Sequence, residues 1–193
     1  MIDNIHLIKP FIVSIWNQYA ESLSFHIQIL QRSKDGHDRS TRLVTEWFIG
    51  SEQRFDFLLP AMKTLCHEYN ARCYINLNPK LDSAITWKML EMLPQRLKSE
   101  SYSPFSITSS AHDSTSGFGI KSWVIDIDDP FIDEQKLIDN INSCRGKFDN
   151  KIILKVPTKN GFHLITHPFD LSQLILPYGV EVKKNNSTLL YCP

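Results

Sequence analysis

Three short stretches of this 193-residue chain hold side chains whose types and spacing suit phosphoryl transfer. In WVIDID (123–128) an extended backbone turns Asp126 and Asp128 to one side and Trp123, Ile125 and Ile127 to the other. Two carboxylates about 7 Å apart along a strand repel and raise each other's pKa unless a cation or several donors lie between them. A hard divalent cation is the simplest such partner, because Mg²⁺ takes oxygen from one or two carboxylates and completes its shell with water and phosphate. The competing reading is a strand end whose acids are solvated, with Asp129 or Asp133 at the positive N-terminus of the next helix. His163 follows an Asn-Gly turn and alternates with Phe162 and Leu164, which sends its imidazole to the opposite side. Glu181 stands between Val180 and Val182 and is turned away from both. Three acids on neighbouring strands could hold two metal ions about 4 Å apart, the arrangement used for in-line attack on a phosphate.

The charges around these residues are segregated. Residues 122–141 hold six acids and one base, whereas residues 142–193 hold seven bases and three acids. Lys155, Lys159 and the turn residue Asn160 are candidates for binding a triphosphate beside His163, and Lys183 and Lys184 for meeting a template or primer backbone. Lysines on hairpins also serve to solvate sheet edges and discourage edge pairing.

The elements that must position these groups read as follows. In the first hundred residues, strands are expected at 25–32, 42–49 and 72–79, with the polar run 33–41 as the turn between the first two. Phe55, Leu58, Leu59, Met62, Leu65, Cys66 and Tyr69 recur at helical spacing, and 85–97 does so again, with Pro94 expected to kink or end that helix. The Ser- and Thr-rich segment 99–119 lacks periodicity and reads as a long surface loop, either a substrate-covering segment or a linker. After it come the Asp-bearing strand, a helix within 131–144, and a hairpin of KIILKVPT and FHLIT around Lys159, Asn160 and Gly161. A short helix near 171–176 and a second hairpin of GVEVKK and STLLYC around Asn185 and Asn186 complete the pattern. The expected class is α+β, an antiparallel sheet with helices on one face and the other face free for a site.

Composition sets the outer limits. With 42% hydrophobic and 22% charged residues the chain can bury a core, which argues against disorder. Its 21 basic and 21 acidic residues cancel, which excludes a histone-like polybasic mode of nucleic-acid binding and makes any such surface local. Cys66, Cys73, Cys144 and Cys192 form no Cys-x-x-Cys pair, so buried free thiols are expected and no zinc. No apolar run approaches a membrane span and the start lacks a signal-peptide pattern, so a cytoplasmic protein without a membrane partner is expected.

Taken together, VIDID, the later Gly161-Phe162-His163 tripeptide and an acid in a strand near the end resemble the catalytic pattern of the archaeo-eukaryotic primase superfamily, the primase-polymerases common in phages and mobile elements. The resemblance covers residues 122–193, and the segment 71–80 is similar to one found ahead of the catalytic strand in phage-type members. It implies an RRM-like antiparallel palm over 120–193, preceded by a smaller α/β unit over 1–98 and joined to it by the 99–119 loop, all within one catalytic domain. It further implies that Asp126, Asp128 and Glu181 hold two Mg²⁺ or Mn²⁺ ions and that His163 contacts the incoming nucleoside triphosphate. The activity implied is template-dependent making or extending of short primers on single-stranded DNA. The chain departs from the pattern in having Glu at the third acid, Gly where Ser is often found, and no arginine in the hairpin turn, which leaves Lys159 to serve the triphosphate. No helicase segment or zinc module is visible, so the expectation is that partners supply those activities or that this is the catalytic part of a longer protein. Two other functions fit the same residues: a metal-dependent nuclease, and a non-catalytic single-strand-binding replication accessory using aromatics such as Tyr74 or Trp87.

Overall fold

The computed structural model describes residues 1–35, 40–99, 104–129 and 131–193. Five strands, β1 (Ile2–Asp3), β2 (Leu23–Gln31), β3 (Arg42–Ile49), β4 (Arg72–Leu81) and β9 (Ser187–Cys192), pair antiparallel in the order β1-β9-β4-β2-β3. Period-two alternation buries Phe25, Ile27 and Ile29 of β2 and Cys73, Ile75 and Leu77 of β4. They meet helices α1 (Ile5–Gln18) and α2 (Glu52–Glu68), which contribute Ile8, Ile12 and Ile15, and Phe55, Leu58, Met62 and Cys66, at helical spacing. α2 has clear boundaries. The Ser51 hydroxyl accepts the Arg54 N–H at 3.2 Å, and Asn70, with φ of 45°, turns the chain so that the Ala71 N–H reaches the Cys66 carbonyl at 2.9 Å.

A second antiparallel sheet joins β5 (Trp123–Ile127), β6 (Ile152–Pro157), β7 (Phe162–Thr166) and β8 (Val180–Lys183) in the order β6-β7-β5-β8. Helix α5 (Glu134–Ser143) links β5 to β6, giving a split β-α-β unit, and a single 3₁₀ turn, Leu171–Gln173, stands between β7 and β8. Leu137 and Ile141 of α5 cover Ile125, Ile127, Leu164 and Val180 on one face of this sheet. On the other face Val124, Val156 and Ile165 join the core beneath α1 and α2, so that apolar packing is continuous between the sheets. The Asn4 amide donates to the carbonyls of Pro157 and Leu189, both at 2.9 Å, and ties the two sheets together at that seam.

The α+β class and the first hairpin are as expected, and Cys66, Cys73 and Cys144 are buried free thiols, whereas Cys192 is free but only partly buried. Several elements differ. The second hairpin does not form: β8 pairs with β5, while β9 crosses to the other sheet and lies between β1 and β4. Thr188, Leu189, Leu190 and Tyr191 are all buried, which demands cover on both faces; an interior position meets that demand, and a strand outside β8 would not. The unit expected at 1–98 is accordingly not self-contained, and it carries the larger of the two sheets. Within the expected 99–119 loop, helix α4 (Pro104–Ser114) packs against α3 (Asp82–Lys98), with Ile107, Ala111 and His112 buried. Its Ser and Thr content hides this helix, because burial of one side rather than intrinsic propensity holds it. Pro94 lies inside α3 without ending it, and the helix expected near 171–176 shortens to the 3₁₀ turn. The expected turn 33–41 lies partly outside the described residues, as do positions 100–103 of the loop. No helix among the described residues is long and apolar enough to cross a membrane.

Candidate active site

Asp126 stands directly opposite His163 of β7 on one side and Glu181 of β8 on the other, so three residues far apart in sequence form one row across β7-β5-β8. Alternation turns that row away from α5 and into a cleft of about 1150 Å³ between the two sheets. Asp128, just past the end of β5, opens on the same cleft, together with Lys159, Asn160 and Lys183 from the second sheet. Arg32, Arg72, Tyr74 and Asp35 face it from the first.

The row is tightly hydrogen-bonded. His163 Nε2 lies 3.1 Å from Asp126 Oδ1, and its Nδ1 lies 2.9 Å from the Thr188 hydroxyl on β9. Both ring nitrogens are thereby engaged, one with Asp126 and the other with Thr188. Lys183 Nζ sits 2.5 Å from Asp126 Oδ2 and 3.3 Å from Glu181 Oε2, placing an ammonium between two of the three acids. The His163 hydrogen bond is the main influence on Asp126, and with Lys183 it overcomes burial and holds the carboxyl far below its usual range. Burial alone would lower the Lys183 pKa, but its bonds to Asp126 and Glu181 raise it instead. The Glu181 side chain is 73% exposed.

Gly161 is fixed by packing. A Cβ there would overlap the Ile127 carbonyl oxygen and crowd Asp128, so the turn can approach the Asp-bearing strand only because this residue has no side chain. A serine at this place in the motif would force the β5–β7 edge apart.

A cross-sheet ion network forms the other wall. Asp35, with 8% of its side chain exposed, accepts from Arg72 on β4 and from Lys159 Nζ at 2.9 Å in the β6–β7 turn. The Arg72 bond chiefly, and Lys159 after it, overcome burial and hold the Asp35 carboxyl down at about 2. Asp35 thus occupies the ground that an anionic ligand of Lys159 and Arg72 would claim.

Not every expected residue reaches the cleft. Lys155 pairs with Glu134 of α5 and covers the Phe162 ring at 4.3 Å, and Lys184 lies 5.2 Å over the Trp123 ring, so neither lines the cleft. Trp87 is exposed on α3, whereas Tyr74 lines the cleft. Arg72, Asp35 and Thr188 were not singled out from sequence. The alternation of Arg72, Tyr74 and Asn76 with Cys73, Ile75 and Leu77 marks the polar face of β4; nothing local marks Asp35 or Thr188.

The donor set of Asp126, Asp128 and Glu181 is all carboxylate oxygen, which fits Mg²⁺ or Mn²⁺ by hardness. Lys183 acts as the cation between two of these groups. Among the described residues only His26, His112 and Asp113 bring three ligand atoms within 4.8 Å of one another, so the three acids would have to draw closer around a divalent ion. Two aromatic rings stand at the cleft: Phe131 and Tyr178 line it and are 93% and 95% exposed. No protein-family model matches the chain, and neither does any curated protein or solved structure.

Proposed function

We propose that the chain is a template-dependent nucleotidyltransferase of the primase-polymerase type, adding nucleotides from nucleoside triphosphates to a strand paired with single-stranded DNA. The observation that carries this reading is the registered row of His163, Asp126 and Glu181, with Asp128 beside it, opening on a cleft walled by Lys159, Lys183 and Arg72. The strand order β6-β7-β5-β8 with α5 behind it supports an RRM-like palm in which the second helix is reduced to a 3₁₀ turn.

Phosphoryl transfer needs alignment and charge stabilisation more than covalent chemistry, and this cleft offers both signs of charge at close range. Asp126, Asp128 and Glu181 are the residues that would hold two divalent cations, which when bound supply charge neutralisation at the attacking and leaving oxygens. His163 keeps the Asp126 carboxylate oriented, and it reaches a triphosphate only by releasing Asp126 or Thr188. Lys159 and Arg72 bind the polyphosphate by exchanging Asp35 for it, and Asp126 could hold a metal ion only where it gives up its bond to Lys183. Phe131 and Tyr178 offer stacking surfaces to unpaired bases at the cleft. Any helicase activity is supplied by a partner or by a further part of a longer protein.

The test is incorporation of labelled nucleotides on single-stranded DNA with Mn²⁺, comparing wild type with Asp126→Ala plus Asp128→Ala. Template-dependent products in the wild type and none in the double variant are expected; products undiminished in the double variant would refute the assignment. The Lys183 ammonium between Asp126 and Glu181 favours one second reading, a single-strand-binding accessory that needs no metal. Salt-sensitive DNA binding that is indifferent to Mn²⁺, without incorporation, would select that reading.

A further inference from the structure

The same polar face of the five-stranded sheet that borders the cleft carries a second cluster beneath α4, sharing no lining residue with it. His26 of β2 and His112 of α4 have ring centroids 4.6 Å apart, and Asp113 follows at the end of α4. We propose that His26, His112 and Asp113 form a site for a divalent transition-metal ion of the zinc class, which pins α4 onto β2.

Two observations of different kinds bear on this cluster, in which Asp113 Oδ1 lies 3.4 Å from His112 Nδ1. One ligand atom from each of the three residues lies within 4.8 Å of the other two. Independently, His112 is 2% exposed and its Nε2 is buried without any hydrogen-bond partner, an arrangement that proteins avoid unless the atom has a use. Burial above all, followed by the nearby Lys80 ammonium, pushes the His112 imidazole down to about 4. The ring is therefore neutral at physiological pH, the form that ligates metal.

The surroundings resemble the outer shell of a metal centre. His26 Nε2 is held 2.8 Å from Glu46 Oε2, and its ring stacks on Phe48 at 4.8 Å. A carboxylate behind an imidazole fixes its orientation and raises its basicity, leaving Nδ1 for the ion. Ser109 of α4 in turn donates to Glu46. Lys80, which donates to the His112 carbonyl, opposes a cation, and Glu46 and Asp113 supply two negative charges against it. Two imidazoles and one carboxylate suit Zn²⁺, with a fourth position left for water. This set is softer than the all-carboxylate row in the cleft, so the two sites select different ions. The proposal departs from the expectation of no zinc, which rested on cysteine spacing and took no account of histidines from distant elements.

The full chain, stripped with chelator, is titrated with Zn²⁺ by calorimetry, followed by thermal melts and by the visible ligand-field spectrum of the Co²⁺ form. One ion per chain is expected, with Tm rising by roughly 5–10 °C at a hundredfold excess over the dissociation constant. His112→Gln and Asp113→Asn should each weaken binding about 10–100-fold, and Asp126→Asn should leave it unchanged. If His112→Gln fails to fold, Asp113→Asn decides, because that side chain is largely exposed. Absence of stoichiometric uptake, or affinity unaltered by Asp113→Asn, overturns the proposal. Either result leaves the nucleotidyltransferase reading standing on its own test.

Discussion

The two faces of the four-stranded sheet are built from the same strands offset by one residue, yet they do opposite work. Ile125, Ile127 and Leu164 lie fully buried against α5, while Asp126, His163 and Glu181 look into the cleft. Both faces also carry lysines: Lys155 and Lys184 rest on rings on the α5 side, whereas Lys159 and Lys183 are bound to carboxylates in the cleft. Period-two geometry thus keeps the chemistry off the α5 face, while on the cleft face it adjoins Val124 and Ile165, which seat the sheet on the other layer. If that division is real, substitutions one residue apart should fall into separate classes of effect.

The largest effect is expected from Ile125→Ala. Emptying a site with no exposed surface should cost about 2–5 kcal/mol, read as a shift in urea midpoint, with activity per folded molecule retained. Glu181→Gln should do the reverse, lowering nucleotide incorporation about 10²-fold while stability stays within about 0.5 kcal/mol, because that side chain is mostly solvated. A large stability loss in Glu181→Gln would break the division. Asp35→Asn probes the seam between sheets and should cost about 1–2 kcal/mol at pH 7. Its folded pKa of about 2 lies below the ordinary carboxylate value, so the ionised form stabilises the fold. That contribution is complete above about pH 4 and is lost as pH falls from about 4 to 2. Acid titration of the variant should therefore show a flatter limb across that window. The smallest effect belongs to Lys155→Ala, expected within about 0.5 kcal/mol in stability and without consequence for triphosphate KM, whereas Lys159→Ala should raise that KM. Equal KM changes in the two variants would erase the distinction between faces.

How far the sequence foretells this arrangement depends on whether the signal is local. Alternation made it legible that Asp126 and His163 each leave the apolar side of their strands, but not that they stand opposite one another: the Asn160-Gly161 turn fixes only the register of β6 and β7, and the pairing of β5 with β7 has no local signal. Glu181 followed from the same alternation in β8. The route of β9 was not accessible, since two adjacent strands with a polar link read as a hairpin whether or not they pair; the unbroken burial of Thr188 to Tyr191 was the clue. α1 lacked an advance signal for a related reason. Ile8, Ile12 and Ile15 have helical spacing, but Pro10 interrupts the run. Lys155 was assigned to the cleft because strand alternation alone does not say which face α5 will cover.

The path of β9 has a bearing on how the molecule is assembled. Tyr191 pairs with Asp3 on one side and Cys73 on the other, so the five-stranded sheet lacks an interior member until residues 187–192 join it. Cleavage between α3 and α4 should consequently yield two pieces that are each incomplete and sticky at an open edge, yet able to recombine when mixed. During synthesis, the nascent N-terminal half would wait, exposed, for residues 187–192 to emerge from the ribosome.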